Sequence, residues 1–218
     1  MVIFDCNGVL VDSEPIANAV LADAFGRAGV SVTADTLAYR FHGRRLLDIC
    51  KVVQTATKRT MPPDFEATVA TAMHQRLRAE LRAVPHACHA LTWIRGPKAV
   101  ASSSALDRIR LSLEVTDLLR FFESRLFSAD LVTKGKPAPD LFLLAAERLE
   151  VEPTDCIAVE DSAAGVTAAK AAGMRPIGFV SPSRTEGRLA DDLLAAGARA
   201  VIADLRALKG AIIDLRGW

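Results

Sequence analysis

Seven residues of this chain have side chains suited to joint chemistry: Asp5, Asn7, Ser102, Ser103, Lys136, Glu160 and Asp161. A carboxylate can act as a nucleophile or a metal ligand, and adjacent carboxylates can hold a hard cation. Hydroxyls and an ammonium group can bind an anion. Gathered in one crevice, these groups are costly to bury unless a cation and an anion complete the set. A magnesium ion plus a phosphate group does so. Each group also has a plainer reading. Asp5 could cap a strand end, and Glu160-Asp161 could cap a helix beginning at Ser162-Ala163-Ala164. Ser102 sits in a serine-rich turn, and Lys136 could be a solvated loop charge with Lys134 as its neighbour.

What would bring them together is a set of short apolar runs that stop at polar residues: Val2 to Asp5, Ala99 to Ser102, Ile157 to Asp161, Ile177 to Ser181 and Ala200 to Asp204. Runs of this length without alternation suit strands buried on both faces, as in a parallel sheet covered by helices. Leu141, Leu144, Ala145 and Leu149 fit one helical stripe. Val166, Ala169 and Lys170 lead to Gly173, a plausible helix stop. From about Pro97 to Trp218 strand and helix alternate, which predicts an α/β, Rossmann-like, doubly wound domain. In such sheets ligands sit beyond the carboxyl ends of the strands, where these runs end.

The segment after the first strand differs. Ile16, Val20, Phe25 and Ala28 mark one helix; Phe65, Val69, Met73, Leu77 and Leu81 mark another, with Met61-Pro62-Pro63 at its start. No strand pattern intervenes. The expected organisation is an α/β core of residues 1–13 and 86–218, with a small all-helical cap of residues 14–85 inserted after strand 1. The alternative is an extra helical layer on one core.

Bulk properties narrow the classes. Half of the 218 residues are apolar, enough for a sizeable core. Basic and acidic residues number 27 and 26, so no global charge draws the chain to nucleic acid or an anionic membrane. Cys6, Cys50, Cys88 and Cys156 are scattered, as reduced core thiols are. No apolar run approaches the ~20 residues of a membrane span. The chain opens on Val2-Ile3-Phe4, leaving little room for a targeting segment. The expectation is a cytoplasmic protein, monomeric or weakly self-associating, acting on a small phosphorylated metabolite.

Four segments in register resemble the motifs of the haloacid dehalogenase superfamily: Asp5-Cys6-Asn7-Gly8-Val9 through Glu14, Val100-Ala101-Ser102-Ser103-Ser104, Lys136-Pro137-Ala138-Pro139-Asp140, and Val159-Glu160-Asp161-Ser162-Ala163-Ala164-Gly165. The helical insert is similar to the small cap of the β-phosphoglucomutase-like branch, which includes sugar-phosphate phosphatases and among them those acting on phosphogluconate. The resemblance implies that Asp5 attacks phosphorus to form an aspartyl-phosphate. Magnesium would be held by Asp161, the backbone carbonyl of Asn7 and one Asp5 oxygen, with Glu160 as a further ligand or an orienting group. Ser102, the Ser103 amide and Lys136 would bind phosphate oxygens, and Gly8 would allow a sharp turn beside the ligand.

Asn7 departs from that pattern. Phosphatases and mutases of this family carry an aspartate there as general acid and base, and an amide exchanges no proton usefully near neutral pH. Loss of such a catalyst costs on the order of 10²–10⁴-fold. Slow hydrolysis, a substrate whose leaving group needs little protonation, an engineered substitution, a phosphomutase, or a catalytically silent phospho-ligand-binding protein all stay open. Dehalogenases of the superfamily also lack the aspartate, but Glu160-Asp161 matches the metal-dependent pattern. Phosphonatases recruit a cap lysine, and Lys51 and Lys58 read better as solvated charges. Phe41-His42-Gly43-Arg44-Arg45 falls where relatives place a specificity loop. Gly43, Arg44 and Arg45 are therefore candidate substrate contacts, with a basic helix start as the alternative. His74, His86 and His89 show no ligand spacing.

Overall fold

The computed structural model describes residues 1–41, 44–181 and 188–216. Six parallel strands form one sheet in the order β3-β2-β1-β4-β5-β6, with β1 (Val2–Phe4), β2 (Lys98–Ser102), β3 (Leu126–Ser128), β4 (Ile157–Glu160), β5 (Arg175–Phe179) and β6 (Ala200–Ile202). The five expected runs are all strands. β3 is a sixth that the apolar pattern did not single out. β1 lies inside the sheet: Phe4 stands beside Val100 on one side and Val159 on the other. Pairing in both directions explains why all three of its residues are buried.

The side-chain period of two divides the sheet into two faces. Ile3, Ala99, Ala101 and Ala158 pack with α7 (Asp140–Arg148) and α8 (Ala163–Ala171) through Leu141, Phe142, Ala145, Ala168 and Ala169. Small residues on both sides of that interface let the helices approach closely. On the opposite face Val2, Phe4, Val100 and Val159 meet α5 (Ala87–Trp93), α6 (Leu106–Val115) and α10 (Leu208–Arg216). Phe4 and Phe122 meet edge to face at 6.1 Å there. α9 (Leu189–Ala196) packs on α8 around Leu193 and Val166. This is the doubly wound α/β core that the sequence pattern predicts.

Between β1 and α5 come four helices: α1 (Glu14–Arg27), α2 (Ala34–Phe41), α3 (Leu46–Thr57) and α4 (Phe65–Glu80). α1 and α4 pack face to face, with the Phe25 and Phe65 rings 5.1 Å apart. The expected stripe of Phe65, Val69, Met73 and Leu77 is the buried face of α4. A short antiparallel ladder joins the two ends of this helical stretch. The Asp12 amide donates to Arg82 O at 3.0 Å, the Val84 amide to Leu10 O at 2.9 Å, and Val11 faces Ala83. Among the described residues, no helix is long and apolar enough to cross a membrane.

Candidate active site

Asp5 follows the last residue of β1, and its amide donates to Val159 O at 2.9 Å, so the neighbouring strand fixes its backbone. The next residues fold back tightly: the amides of Leu10 and Val11 both donate to Cys6 O. Gly8 makes this return possible with φ +74°. A Cβ at that position would overlap the Asp161 carboxylate, which identifies both the conformation and the close approach as reasons for glycine.

Asp161 follows β4, beside Glu160. One carboxylate oxygen from each of Asp5, Glu160 and Asp161 falls within a cluster whose members are all within 4.8 Å, and all three residues are buried. Three carboxylates at such separation repel one another strongly in a medium of low dielectric. Lys136 enters from the loop before α7 to offset part of that charge. Its Nζ donates to Asp5 Oδ1 at 2.7 Å and to Ala101 O at 2.9 Å, and lies 2.5 Å from Glu160 Oε1. Burial opposes the Lys136 charge, but Asp5 and Glu160 outweigh it and raise its affinity for the proton above the ordinary value. Burial is also the leading influence on Glu160, pushing it up to about 8 against the pull of Lys136. Lys134, the sequence neighbour, is not part of this ion-pair cluster.

The capping alternative for Glu160-Asp161 does not describe this end of α8. Ser162 is the N-cap, its hydroxyl accepting from the Gly165 amide at 3.0 Å. The same hydroxyl donates to Glu160 Oε2 at 3.3 Å, and Gly165 leaves the space that the Glu160 carboxylate fills. With the cap supplied by Ser162, both acids are turned to the cluster.

The turn after β2 forms the adjoining wall. Ser102 is fully buried, and its Oγ accepts from the Ser104 amide at 3.3 Å, stabilising the turn. Ser103 and Ser104 line the cavity. Ser104 O in turn accepts from the Ser128 hydroxyl at 2.8 Å, which ties the turn to β3. Asn7 bridges across: its Nδ2 donates to Ser104 Oγ at 2.9 Å and its Oδ1 accepts from Ser13 Oγ at 2.8 Å. Cys6, next to the candidate nucleophile, is no competitor, because burial and then Asp5 push its thiol up.

Above these groups lies a cavity of about 440 Å³, walled by the core turns on one side and by α1, α3 and α4 on the other. Both Arg44 and Arg45 line it, but they differ. Arg45 reaches the core loop: Nη1 donates to Ala129 O and Nη2 to Thr133 O, each at 3.3 Å, and Nε bonds Asp48. Its guanidinium spans from the helical segment to the loop that carries Lys136, a structural engagement the sequence did not suggest. Arg44 is exposed. Gly43 and His42 lie outside the described residues. His74 of α4 also lines the cavity and lies 3.4 Å from Asp107 of α6, a contact between the two walls. His86 and His89 do not line it.

A buried aspartate at a strand end, a lysine from a distant loop and an acidic pair at the end of the neighbouring strand thus meet at one edge of a doubly wound sheet. Residues 1–173 match the haloacid dehalogenase-like hydrolase family, and the chain belongs to it. It is 32% identical over 179 residues to the 6-phosphogluconate phosphatase of Escherichia coli K12, covering 82% of this chain and 81% of that protein. It is 30% identical over 174 residues to a fructose-1-phosphate phosphatase of the same organism, covering 79% and 92%. In structure it is similar to a conserved haloacid dehalogenase-like protein of unknown function from Agrobacterium tumefaciens, with TM-score 0.83, 33% identity and coverage of 99% and 98%. The chain is accordingly an enzyme of the haloacid dehalogenase-like phosphatase type.

Proposed function

We propose that this enzyme hydrolyses the phosphate ester of a small phosphorylated sugar or sugar derivative through an aspartyl-phosphate on Asp5. The observation that carries this reading is the Asp5–Lys136 ion pair set against Glu160 and Asp161 at the carboxyl edge of the sheet. The phosphatases named above support the substrate class.

An Asp5 oxygen attacks phosphorus, the bond from phosphorus to the sugar oxygen breaks, and the phosphoryl group passes to Asp5 while the departing sugar oxygen takes a proton from water. Water then attacks that phosphorus and releases phosphate, restoring the carboxylate. Lys136, held by Ala101 O and Asp5 Oδ1, orients the nucleophile and offsets charge on the phosphoryl oxygens. The Ser102 hydroxyl, which accepts from Ser104, keeps its own proton to donate to a phosphate oxygen, and the Ser103 amide adds a second donor. The clustered carboxylate oxygens of Asp5, Glu160 and Asp161 suit a hard cation such as magnesium; Asp5, Asp161 and the Asn7 carbonyl would hold it, with Glu160 as a further ligand or orienting a water. When bound, such an ion would neutralise phosphoryl charge and polarise the ester.

The four-helix segment between residues 13 and 81 serves as a cap that hinges on the 10–12 and 82–84 ladder and excludes bulk water when closed. Arg45 then acts as a latch rather than only as a substrate contact, and Arg44 and Gly43 remain candidates for binding the sugar. Asn7 favours a second reading, a phospho-ligand-binding protein with little turnover, because its amide carries no transferable proton.

The deciding experiment is a phosphate-ester panel with magnesium, scored by released inorganic phosphate, with Asp5→Ala as the blank. Release above the blank on sugar phosphates supports hydrolysis. Tight ester binding without release above the blank would replace hydrolysis by the binding reading.

A further inference from the structure

One cationic group in the cavity wall has no task in the mechanism above. Arg108 stands third in α6, after the Ser103–Ala105 turn, and lines the cavity. Its Nε is sealed from solvent and has no hydrogen-bond partner, and no described residue accepts a hydrogen bond from its guanidinium. That contrasts with Arg45, whose Nε, Nη1 and Nη2 are all engaged. Burial works against the Arg108 charge, pulling its proton affinity down, while Glu14, Cys6, Asp5 and Asp107 act the other way. A guanidinium nevertheless stays charged in a protein, so this half-buried side chain carries a cation whose sealed Nε donor is unused.

Such a group is costly to bury without a partner, and the cost is recovered when an anion docks on it. The reacting phosphate already has Lys136 and the Ser102–Ser103 turn. An anion on Arg108 would thus belong to another part of the same ligand. A cavity of about 440 Å³ holds a phosphorylated six-carbon chain with both ends inside.

We propose that Arg108 receives a second anionic group of the substrate, so that the cavity selects phosphorylated sugar acids or sugar bisphosphates over phosphorylated neutral sugars and polyols. This rests on the Asp5-centred reading of the site. A carboxylate or phosphate would meet the planar donors of Arg108 two at a time, the geometry in which arginine discriminates best. Sequence inspection passes over this residue because an arginine in the first turn of an amphipathic helix resembles a solvated charge.

The test compares 6-phosphogluconate with glucitol 6-phosphate, which differ only in a carboxylate against a CH₂OH. Both are titrated calorimetrically with magnesium into the full chain carrying Asp5→Asn, so that neither ester turns over. Inorganic phosphate is titrated into the unaltered chain as the control for the reacting-phosphate site. We expect the acid to bind at least tenfold tighter than the polyol, Arg108→Gln to collapse that ratio to near one, and Arg108→Lys to keep part of it. Glucose 1,6-bisphosphate as a third ligand separates the two sources: tighter binding than the acid points to a second phosphate, weaker binding to a carboxylate.

Equal affinity of acid and polyol in the parent, or an unchanged ratio in Arg108→Gln, overturns the proposal while phosphate binding leaves the active-site reading standing. A parallel loss for both ligands in Arg108→Gln, with no change in their ratio, would make the residue a structural counter-ion to Glu14. Failure of inorganic phosphate and all esters to bind would remove the underlying site, and this inference with it.

Discussion

The Asn7 side-chain nitrogen donates to the Ser104 hydroxyl at 2.9 Å, joining the turn after β1 to the turn after β2. With Ser13 bonded to its oxygen, the amide is fixed at both ends. An aspartate would keep the Ser13 bond, and the Ser104 hydroxyl, being both donor and acceptor, could turn to serve it. Asn7→Asp is therefore a near-isosteric exchange that adds a titrating proton carrier without dismantling its supports. We expect it to raise kcat for an alkyl phosphate ester by about 10²–10⁴-fold, with a smaller gain on an aryl ester whose leaving group departs unprotonated. Assays of both chains on both esters check this; no gain on either, with magnesium binding intact, would reject the role assigned to position 7.

Magnesium binding should depend on Asp161. Calorimetric titration of Asp161→Ala is expected to show no heat of specific binding, whereas Asn7→Asp should bind as the parent does. Gly8→Ala is expected to weaken binding as well, because its Cβ would overlap the Asp161 carboxylate and its φ of +74° disfavours a side chain. Retained affinity in Asp161→Ala would place the ion elsewhere.

Lys136→Met should be harmful before any substrate is added. Removing the ammonium leaves Asp5 and Glu160 buried beside Asp161 without their shared cation. Breaking a buried pair in this way costs about 3–5 kcal/mol. Thermal unfolding is expected to fall accordingly, and magnesium should recover part of the loss. A melting temperature equal to that of the parent would show that the carboxylates need no counter-charge there.

Arg45→Ala tests the latch. Two guanidinium bonds to Ala129 O and Thr133 O would vanish, each worth at most about 1.5–3 kcal/mol as a bond to a charged group. Faster amide hydrogen exchange is expected across residues 129–135 and along the 10–12 and 82–84 ladder. A change confined to α3 would mean that Arg45 stabilises only its own helix.

The sequence made five of the six strands readable because each is an unbroken apolar run ending at a polar residue. β3 escaped because Leu126-Phe127-Ser128 offers only two apolar residues, preceded by a charged segment, and its strand character comes from pairing with Val100–Ser102. Asp5, Lys136, Glu160 and Asp161 were visible as strand-end or loop residues. Their meeting at the carboxyl ends of the strands was expected from the pattern of runs, whereas the pairing of Lys136 with both Asp5 and Glu160 needed the folded sheet to become apparent. Arg45 and Arg108 were harder to read, since a guanidinium's partners depend on which surfaces tertiary packing brings near it. The bond of Ser104 to Asn7 was hidden for the same reason: hydroxyl bonding over 97 residues leaves no periodic trace.

The position of β1 also constrains how the molecule is made. The strand that presents Asp5 is synthesised before both of its sheet neighbours, which begin at Lys98 and Ile157. Until β4 has emerged, Val2, Ile3 and Phe4 lack one of the two strands that cover their edges. Long-range parallel pairing of this kind is slow, and an unpaired apolar strand invites association with other chains. The helical segment, whose elements all lie between Glu14 and Glu80, can assemble meanwhile. On a ribosome the helical segment would thus form before the sheet edge beside it, and Asp5 would reach its place next to Lys136 only when the sheet closes around it.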